Sequence, residues 1–455
     1  MGSRQRCRVA VAVVLLAPVL WAAAAGADAH REVEALEARV SALEALRPAA
    51  AQSSAVVEGA VTAVLADAGG RAAGAGRDEE GFFVRAGGFS VRPEVLFIFG
   101  HVSGYAEDAK NGRSPDTQSG LEVRTLLLTL RGRAFDETVE YHLAWRMENT
   151  DAGRPALRDA ALTWRVGEKV ALKLGQFDDR VYLEETVDDG RQLLADRSVM
   201  NELLAGGRYD RVQGMAGVFG DAASAFHGQV TLHDGGGSLN TTFADGAAGT
   251  GFAVRESFGA TGRLEWKAQG RWKDYADLSA RETTDDFLAI GVGTSWTQGV
   301  FADGVAGAGT GGDRFLFAAD ALWKLSEPRV AVMAAYVADY TRFRDGAAGD
   351  HRWNWGALLQ AGWMITNQWE AFARYDYVGL DRDFVRAGVR PQVHEVTVGA
   401  TYYLGKDGNA GHRAKVTLDA GYLPHGSPAA LPRLGVHTAG AGEQIYVRGQ
   451  VQLAL

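Results

Sequence analysis

Between Asp178 and Tyr209 lies a run dense in ionisable side chains: Asp178-Asp179-Arg180, Glu184-Glu185, Asp188-Asp189-Gly190-Arg191 and Asp196-Arg197. Two readings suit it. It is either a solvated surface loop, or a loop folded into a water-filled lumen, where it would narrow the passage and set which ions pass. On the second reading Asp178, Asp179, Arg180, Glu184, Glu185, Arg191 and Arg197 are the constriction candidates, and the carboxylates would oppose anions. A second set falls on the polar phase of alternating segments: Arg146, Arg165, Lys173, Arg255, Arg263, Lys267, Arg314, Lys324, Arg374, Arg413, Lys415 and Arg448. The same phase carries Glu140, Glu148, Asp159, Glu265, Asp320, Glu370, Asp376, Glu395 and Asp419, so twelve cations face nine carboxylates on a mildly basic wall. Rings of Arg or Lys favour anions or phosphate, and Arg can hold phosphate oxygens bidentately. The alternative is a mixed wall of cross-strand ion pairs without selectivity, and a slip of one residue in any strand reverses its set.

Other signals carry no chemistry. Gly307-Ala308-Gly309-Thr310-Gly311-Gly312 matches G-x-G-x-x-G, but no strand-then-helix unit surrounds it. The ten histidines lack metal-ligand spacing, His142 reads as one more polar wall residue, and no Ser-His-acid group stands out. No catalytic residue, metal or cofactor is expected.

The elements that must position these charges have period 2. Ile445, Val447, Val451, Leu453 and Leu455 alternate with Tyr446, Arg448, Gln450 and Gln452; Trp353, Trp355, Ala357, Leu359, Ala361, Trp363 and Ile365 alternate with Asn354 and Gln360. Strands are predicted at 88–104, 121–133, 137–150, 156–166, 168–177, 210–219, 223–233, 252–267, 285–298, 313–326, 328–341, 352–366, 367–379, 391–405, 411–424 and 443–455. A soluble sandwich also alternates. These segments, however, exceed the usual five or six residues, aromatics gather near the ends of their apolar faces as an interfacial girdle requires, and connectors alternate short and long. Only the link 268–284 breaks that rhythm. In a bilayer the strands must close, because an open edge leaves backbone groups unpaired in hydrocarbon. The expected fold is all-β: a 16-stranded antiparallel transmembrane β-barrel with both chain ends in the periplasm.

Composition agrees. There are 58 glycines but only 10 prolines, so the chain is neither collagen-like nor proline-rich and disordered. Beyond the N-terminus no apolar run reaches the ~18 residues of a spanning helix. Arg4, Arg6 and Arg8 precede an apolar stretch from Val9 to Leu20 and an Ala-rich site, so residues 1–27 read as a signal peptide. With it would go the single cysteine, Cys7, leaving no thiol or disulfide. Removing three arginines from the 47 basic residues leaves 44 against 56 acidic, a mature charge of −12 that gives no support to nucleic-acid binding. Within the segment 28–80, Val33, Leu36, Val40 and Leu43 keep a coiled-coil spacing, with Val57, Val61 and Val64 in the same frame; a lone amphipathic helix or a disordered linker is the competing reading. A linker, Gly69 to Glu80, is expected before the barrel of 81–455.

From about Gly81 onward the chain resembles the phosphate-selective porin O and P family. The resemblance rests on Gly81-Phe82-Phe83-Val84-Arg85-Ala86-Gly87-Gly88-Phe89 and on Leu126-Leu127-Leu128-Thr129-Leu130-Arg131-Gly132-Arg133-Ala134-Phe135 with Glu140-Tyr141. It rests most on Leu157-Arg158-Asp159-Ala160 followed by Leu172-Lys173-Leu174-Gly175-Gln176-Phe177 and Leu183-Glu184-Glu185. It implies a homotrimer of sixteen-stranded pores in the outer membrane of a diderm bacterium, embedded in its lipids, with basic residues lining an anion path. The expected function is passive diffusion of small anions or other hydrophilic solutes. Two rivals are an envelope tether, in which residues 30–67 contact the cell wall and the pore is incidental, and a barrel enzyme such as a lipase.

Overall fold

The structure, a computed structural model, describes residues 37–38, 74–78, 81–107, 116–147, 155–205, 211–236, 253–301, 309–344, 349–385, 390–436, 438–440 and 442–455. The expected signal peptide lies outside the described residues, as does the coiled-coil segment apart from helical Glu37 and Ala38.

Eighteen strands are present: β1 (Gly74–Asp78), β2 (Gly81–Ala86), β3 (Phe89–Ala106), β4 (Thr117–Arg133), β5 (Val139–Arg146), β6 (Ala156–Arg165), β7 (Val170–Phe177), β8 (Val212–Phe219), β9 (Phe226–Gly236), β10 (Ala253–Gln269), β11 (Phe287–Phe301), β12 (Thr310–Leu325), β13 (Val330–Phe343), β14 (His351–Met364), β15 (Trp369–Gly379), β16 (Gln392–Tyr403), β17 (Ala414–Leu423) and β18 (Gln444–Ala454). The sixteen expected strands correspond one to one with β3–β18. Each pairs with its sequence neighbour, and β18 returns to β3, from Gln444 opposite Ala106 to Ala454 opposite Leu96. That last pairing closes an antiparallel barrel.

The chain divides into two compact units. In the smaller, β1 and β2 form a hairpin from Gly74 opposite Arg85 to Asp78 opposite Gly81, and β2 pairs with the start of β3. The expected linker therefore contains a strand. Gly74-Ala75-Gly76 has no apolar alternation to announce it, and backbone pairing alone defines it. In the same unit Tyr141 stacks on Phe89 at 5.6 Å and its hydroxyl donates to the Ser90 carbonyl at 2.8 Å.

The larger unit, Val95–Leu128 with Leu143–Leu455, inverts the partition of a water-soluble protein. Along β14 the inner positions Arg352, Asn354 and Gln360 are buried, whereas Trp353, Leu359 and Trp363 are about half exposed. The same phase runs through β10–β18, burying Arg263, Arg314, Arg374 and Arg448 and exposing Trp266, Trp323, Trp369, Val398 and Leu418.

A pore of this width would ordinarily hold water. Here its interior contains a hydrophobic core built from the β7–β8 connector. Val181, Tyr182, Leu183, Leu193, Leu194, Val199, Met200, Leu203 and Leu204 pack against Leu316, Met333, Val337, Leu358, Phe372 and Val393 of the inner wall. Small wall residues make room for it: a Cβ on Gly293 would stand 2.0 Å from the Val181 carbonyl oxygen, and one on Gly362 2.7 Å from Leu193 Cδ1.

The anomalous link before β11 also turns inward. It forms a 3₁₀ turn, Trp272–Ala276, and then buries Asp277, Leu278, Ser279 and Ala280. Tyr275 joins Arg263 and Asp320, Ser279 reaches Glu370, and the Leu278 amide donates to the Arg191 carbonyl of the β7–β8 connector at 3.2 Å. Its length breaks the short-turn rhythm because it fills part of the barrel as well as joining strands.

Candidate functional site

The β7–β8 connector is the element that narrows the barrel, and arginines and a lysine of the inner wall hold it by its carbonyls. Arg263 Nη1 donates to the Val181 carbonyl at 2.8 Å, Arg314 Nη2 to Leu204 at 2.9 Å, and Lys415 Nζ to Gln192 at 3.1 Å. Arg374 donates to the carbonyls of Asp196 and Arg197 at 2.9 and 3.2 Å. Wall carboxylates bind its amides in turn: Asp320 accepts from Leu183, Asp419 from Ala195 and Glu395 from Val199. A buried irregular segment must satisfy every peptide group it carries, and a wall of alternating charge supplies both donors and acceptors.

The same wall charges neutralise one another. Arg263 forks onto Asp320 at 2.8 and 2.9 Å, Arg314 onto Asp339 at 2.6 and 2.9 Å, and Arg448 onto Asp419 at 2.7 and 2.9 Å. Arg374 is ringed by Asp376, Glu395 and Glu184 at 3.0, 3.4 and 3.6 Å. These arginines face inward but are not free for a solute. Lys324, also buried, makes no ion pair among the described residues.

Other candidates are placed differently. Arg413 is corrected: it lies on the 3₁₀ turn Gly411–Arg413, exposed, because β17 begins one residue later. Arg165 is exposed at the end of β6. The side chain of Arg255 lies outside the described residues. Lys173 lies over Phe177 at 4.3 Å, and Lys267 over Trp272 at 5.5 Å.

Within the connector the acidic candidates divide by role. Asp179 and Glu184 are fully buried: Asp179 accepts from Gln229 and Thr231, and Glu184 from Tyr182, Ser198 Oγ and the Ser198 amide. They shape the loop from within. Asp189 instead pairs with Arg197 at 2.6 Å and Arg146 at 3.6 Å, and Asp178 with Arg158 at 2.7 Å. Burial alone would raise the pKa of Asp189, but Arg197, Arg146 and Arg158 outweigh it and hold this carboxyl well below the usual range. Arg197 also bonds the carbonyls of Glu184, Glu185 and Val187, which fixes the turn of the loop. Arg191 reaches Glu282 of the inward β10–β11 link at 3.6 Å.

These contacts leave only a narrow cleft, of about 10 Å³, between the connector and the β3–β4 wall, lined by Ile98, Arg124, Asp189, Asp196, Arg197 and Arg433. Arg124 pairs with Asp196 and, at 3.2 Å, with Glu122; Arg433 stands 4.0 Å from Asp196 and is nearly half exposed. Arg124, Arg158 and Arg433 are absent from the expected wall set. Arg124 neighbours Thr125, and both are buried, so strict alternation misassigns one of them. Arg433 comes from a loop, where alternation says nothing. Among the described residues no group of His, Cys, Asp and Glu could hold a metal.

A closed sixteen-stranded barrel, an inward β7–β8 loop and a charged cleft beside it are the parts of a diffusion pore. The sequence profile of the phosphate-selective porin O and P family matches residues 101–410. The chain belongs to that family. It is a porin, a channel of the Gram-negative outer membrane. No curated protein matches the chain in sequence. Among solved structures this porin is similar to the anion-selective porin from Comamonas acidovorans, with a TM-score of 0.57, 13% identity, and coverage of 81% of this chain and 100% of that one. It is similar also to the outer-membrane expressed OmpT of Vibrio cholerae, with a TM-score of 0.50, 11% identity, and coverage of 82% and 99%. At such identities the likeness establishes the fold.

Proposed function

We propose that this porin passes small hydrophilic solutes with a modest preference for anions and without a tight phosphate site in the cleft. One observation carries the reading. The arginines around the cleft and behind the loop are matched by carboxylates, whereas Lys173, Arg180 and Lys267 have no carboxylate within ion-pair distance among the described residues. Paired guanidiniums contribute little net field, and phosphate would have to displace Asp189 or Asp196 to use them. Unpaired cations retain their field and favour anion entry. The relative from Comamonas is described as anion-selective, which accords with this reading.

The apolar outer belt would face outer-membrane lipid, and family membership supports assembly as a homotrimer, which crosslinking in detergent tests. The signal peptide and a periplasmic helix below the barrel belong to the same reading. A cell-wall contact through residues 30–67 has no support beyond their sequence pattern. The deciding experiment is the reversal potential across a planar bilayer in a potassium chloride gradient, with and without phosphate. A potential shifted modestly toward the anion limit, with no phosphate block, is expected. A cation-directed potential, or block of chloride current by low phosphate, would overturn the proposal.

A further inference from the structure

Where β8, β9 and β10 meet the first residues of the inward loop, a cavity of about 220 Å³ remains open. It is lined by Arg180, Phe219, His227, Gln229, Arg263 and Glu265. Its polar groups are unequal in what they have left to give. Arg263 is spent: its nitrogens already serve Glu265, Asp320, Tyr275 and the Val181 carbonyl. Arg180 is the opposite case, an exposed guanidinium with no carboxylate in ion-pair distance among the described residues; it is its backbone amide, not its side chain, that donates to Asp179, at 3.1 Å.

The other three residues present acceptors. Gln229 Nε2 already donates to Asp179 and Thr231, which leaves its carbonyl oxygen. His227 Nε2 lies 2.7 Å from the Asp221 carbonyl; a carbonyl can only accept, so Nε2 holds the proton and Nδ1 is an acceptor in the neutral ring. Glu265 Oε1 takes Arg263 Nε at 2.7 Å, leaving Oε2. The His227 ring is held in place by stacking on Trp272 at 3.9 Å, and Phe219 and Val218 add an apolar wall.

One strong cationic donor, three acceptors and an apolar wall specify a ligand. It must bring a carboxylate for Arg180 and several hydroxyl donors for the acceptors. Inorganic phosphate has at most two hydroxyl donors for three acceptors, and its compact charge would meet Glu265 at close range. A neutral sugar leaves Arg180 unused. We propose that this cavity is a binding subsite for a hydroxylated monocarboxylate of sugar-acid type, its carboxylate on Arg180 and its hydroxyls donating to Glu265, Gln229 and His227. The inference rests on the modest anion preference proposed above and names a solute class for it.

The test uses the full-length porin in planar bilayers with D-glucuronate, D-glucose and inorganic phosphate as separate probes. Glucuronate is expected to reduce chloride current at concentrations where glucose and phosphate do not. Arg180→Gln, at an exposed position without an ion-pair partner, should weaken that block about tenfold, as expected for one charge-assisted contact. His227→Phe should weaken it less while keeping the stack on Trp272. No glucuronate block, equal block by phosphate, or block indifferent to R180Q would each overturn the subsite. The reversal potential of the same channels reports separately: a cation-directed potential with glucuronate block intact would overturn the anion preference and leave the subsite standing.

Discussion

Replacing Arg374 by methionine removes a side chain that both anchors the inward loop and neutralises three buried carboxylates. Arg374 donates to the carbonyls of Asp196 and Arg197 and contacts Asp376, Glu395 and Glu184. Breaking a buried pair by deleting one partner costs about 3–5 kcal/mol. Two stranded carbonyls add roughly 1–3 kcal/mol each unless water reaches them. Against this stands the apolar burial of the loop. Leu193, Leu194, Val199, Met200, Leu203 and Leu204 are all buried, and each contributes about 1.5–3 kcal/mol. Burial of the loop therefore outweighs loss of its anchor. The expected outcome is local: residues 195–198 shift, the loop stays inside, and freed carboxylates move the reversal potential toward cations. Removing one of those charges as well, in R374M/E395Q, should restore part of the selectivity. Single-channel recording in a salt gradient reads both quantities, with heat-modifiable migration on gels confirming a folded barrel. A large rise in conductance, as from an emptied lumen, would show that charge rather than packing retains the loop. An unchanged reversal potential would show that the carboxylates around Arg374 lie outside the ion path. Either result refutes the reasoning.

Gly293→Val puts a side chain where the Val181 carbonyl stands 2.0 Å from a Cβ; the start of the inward loop must move, and conductance should change while barrel stability, followed by thermal unfolding, falls by only a few kcal/mol. Glu202, on the loop, is pushed up to about 7 from its ordinary carboxyl value, first by burial and then by Asp196. Its stabilising contribution is complete below the ordinary carboxyl pKa and is lost as pH rises through about 7. Current should change around neutral pH, and E202Q should flatten that dependence; a wild-type profile without an inflection there rules the effect out. Replacing residues 271–284 with a tight turn removes the Leu278 and Glu282 contacts to Arg191 and the buried Asp277–His412 pair at 3.1 Å. Conductance should rise, and larger sugars should enter in liposome swelling; unchanged size exclusion would make the inward link a mere connector.

Alternation along each strand is a local property, and it was enough to indicate a barrel. Trp353, Leu359 and Trp363 against Asn354 and Gln360 define which face of β14 is outside, because a strand has only two faces and a bilayer tolerates one composition. Alternation with loop rhythm supplied the count of sixteen, and residues 178–209 stood out as a long charged connector whose two readings, surface or inward, the sequence left open. One further signal was present in the sequence: Gly293, Gly356 and Gly362 fall on inward positions where the loop packs against the wall.

The sequence alone did not determine what the charges do. Arg263 meets Asp320, 57 residues away, and Arg374 reaches the carbonyl of Asp196, 178 residues away. Those partners are set by the barrel's register and by the path of the loop, which no spacing rule encodes. A count of twelve cations against nine carboxylates suggests a basic wall; three-dimensional pairing turns Arg146, Arg263, Arg314, Arg374 and Arg448 into scaffold. On the proposed function, selectivity falls to the few cations that the fold leaves unmatched, because a charge with a partner at hydrogen-bond distance acts only weakly at the range of a passing ion.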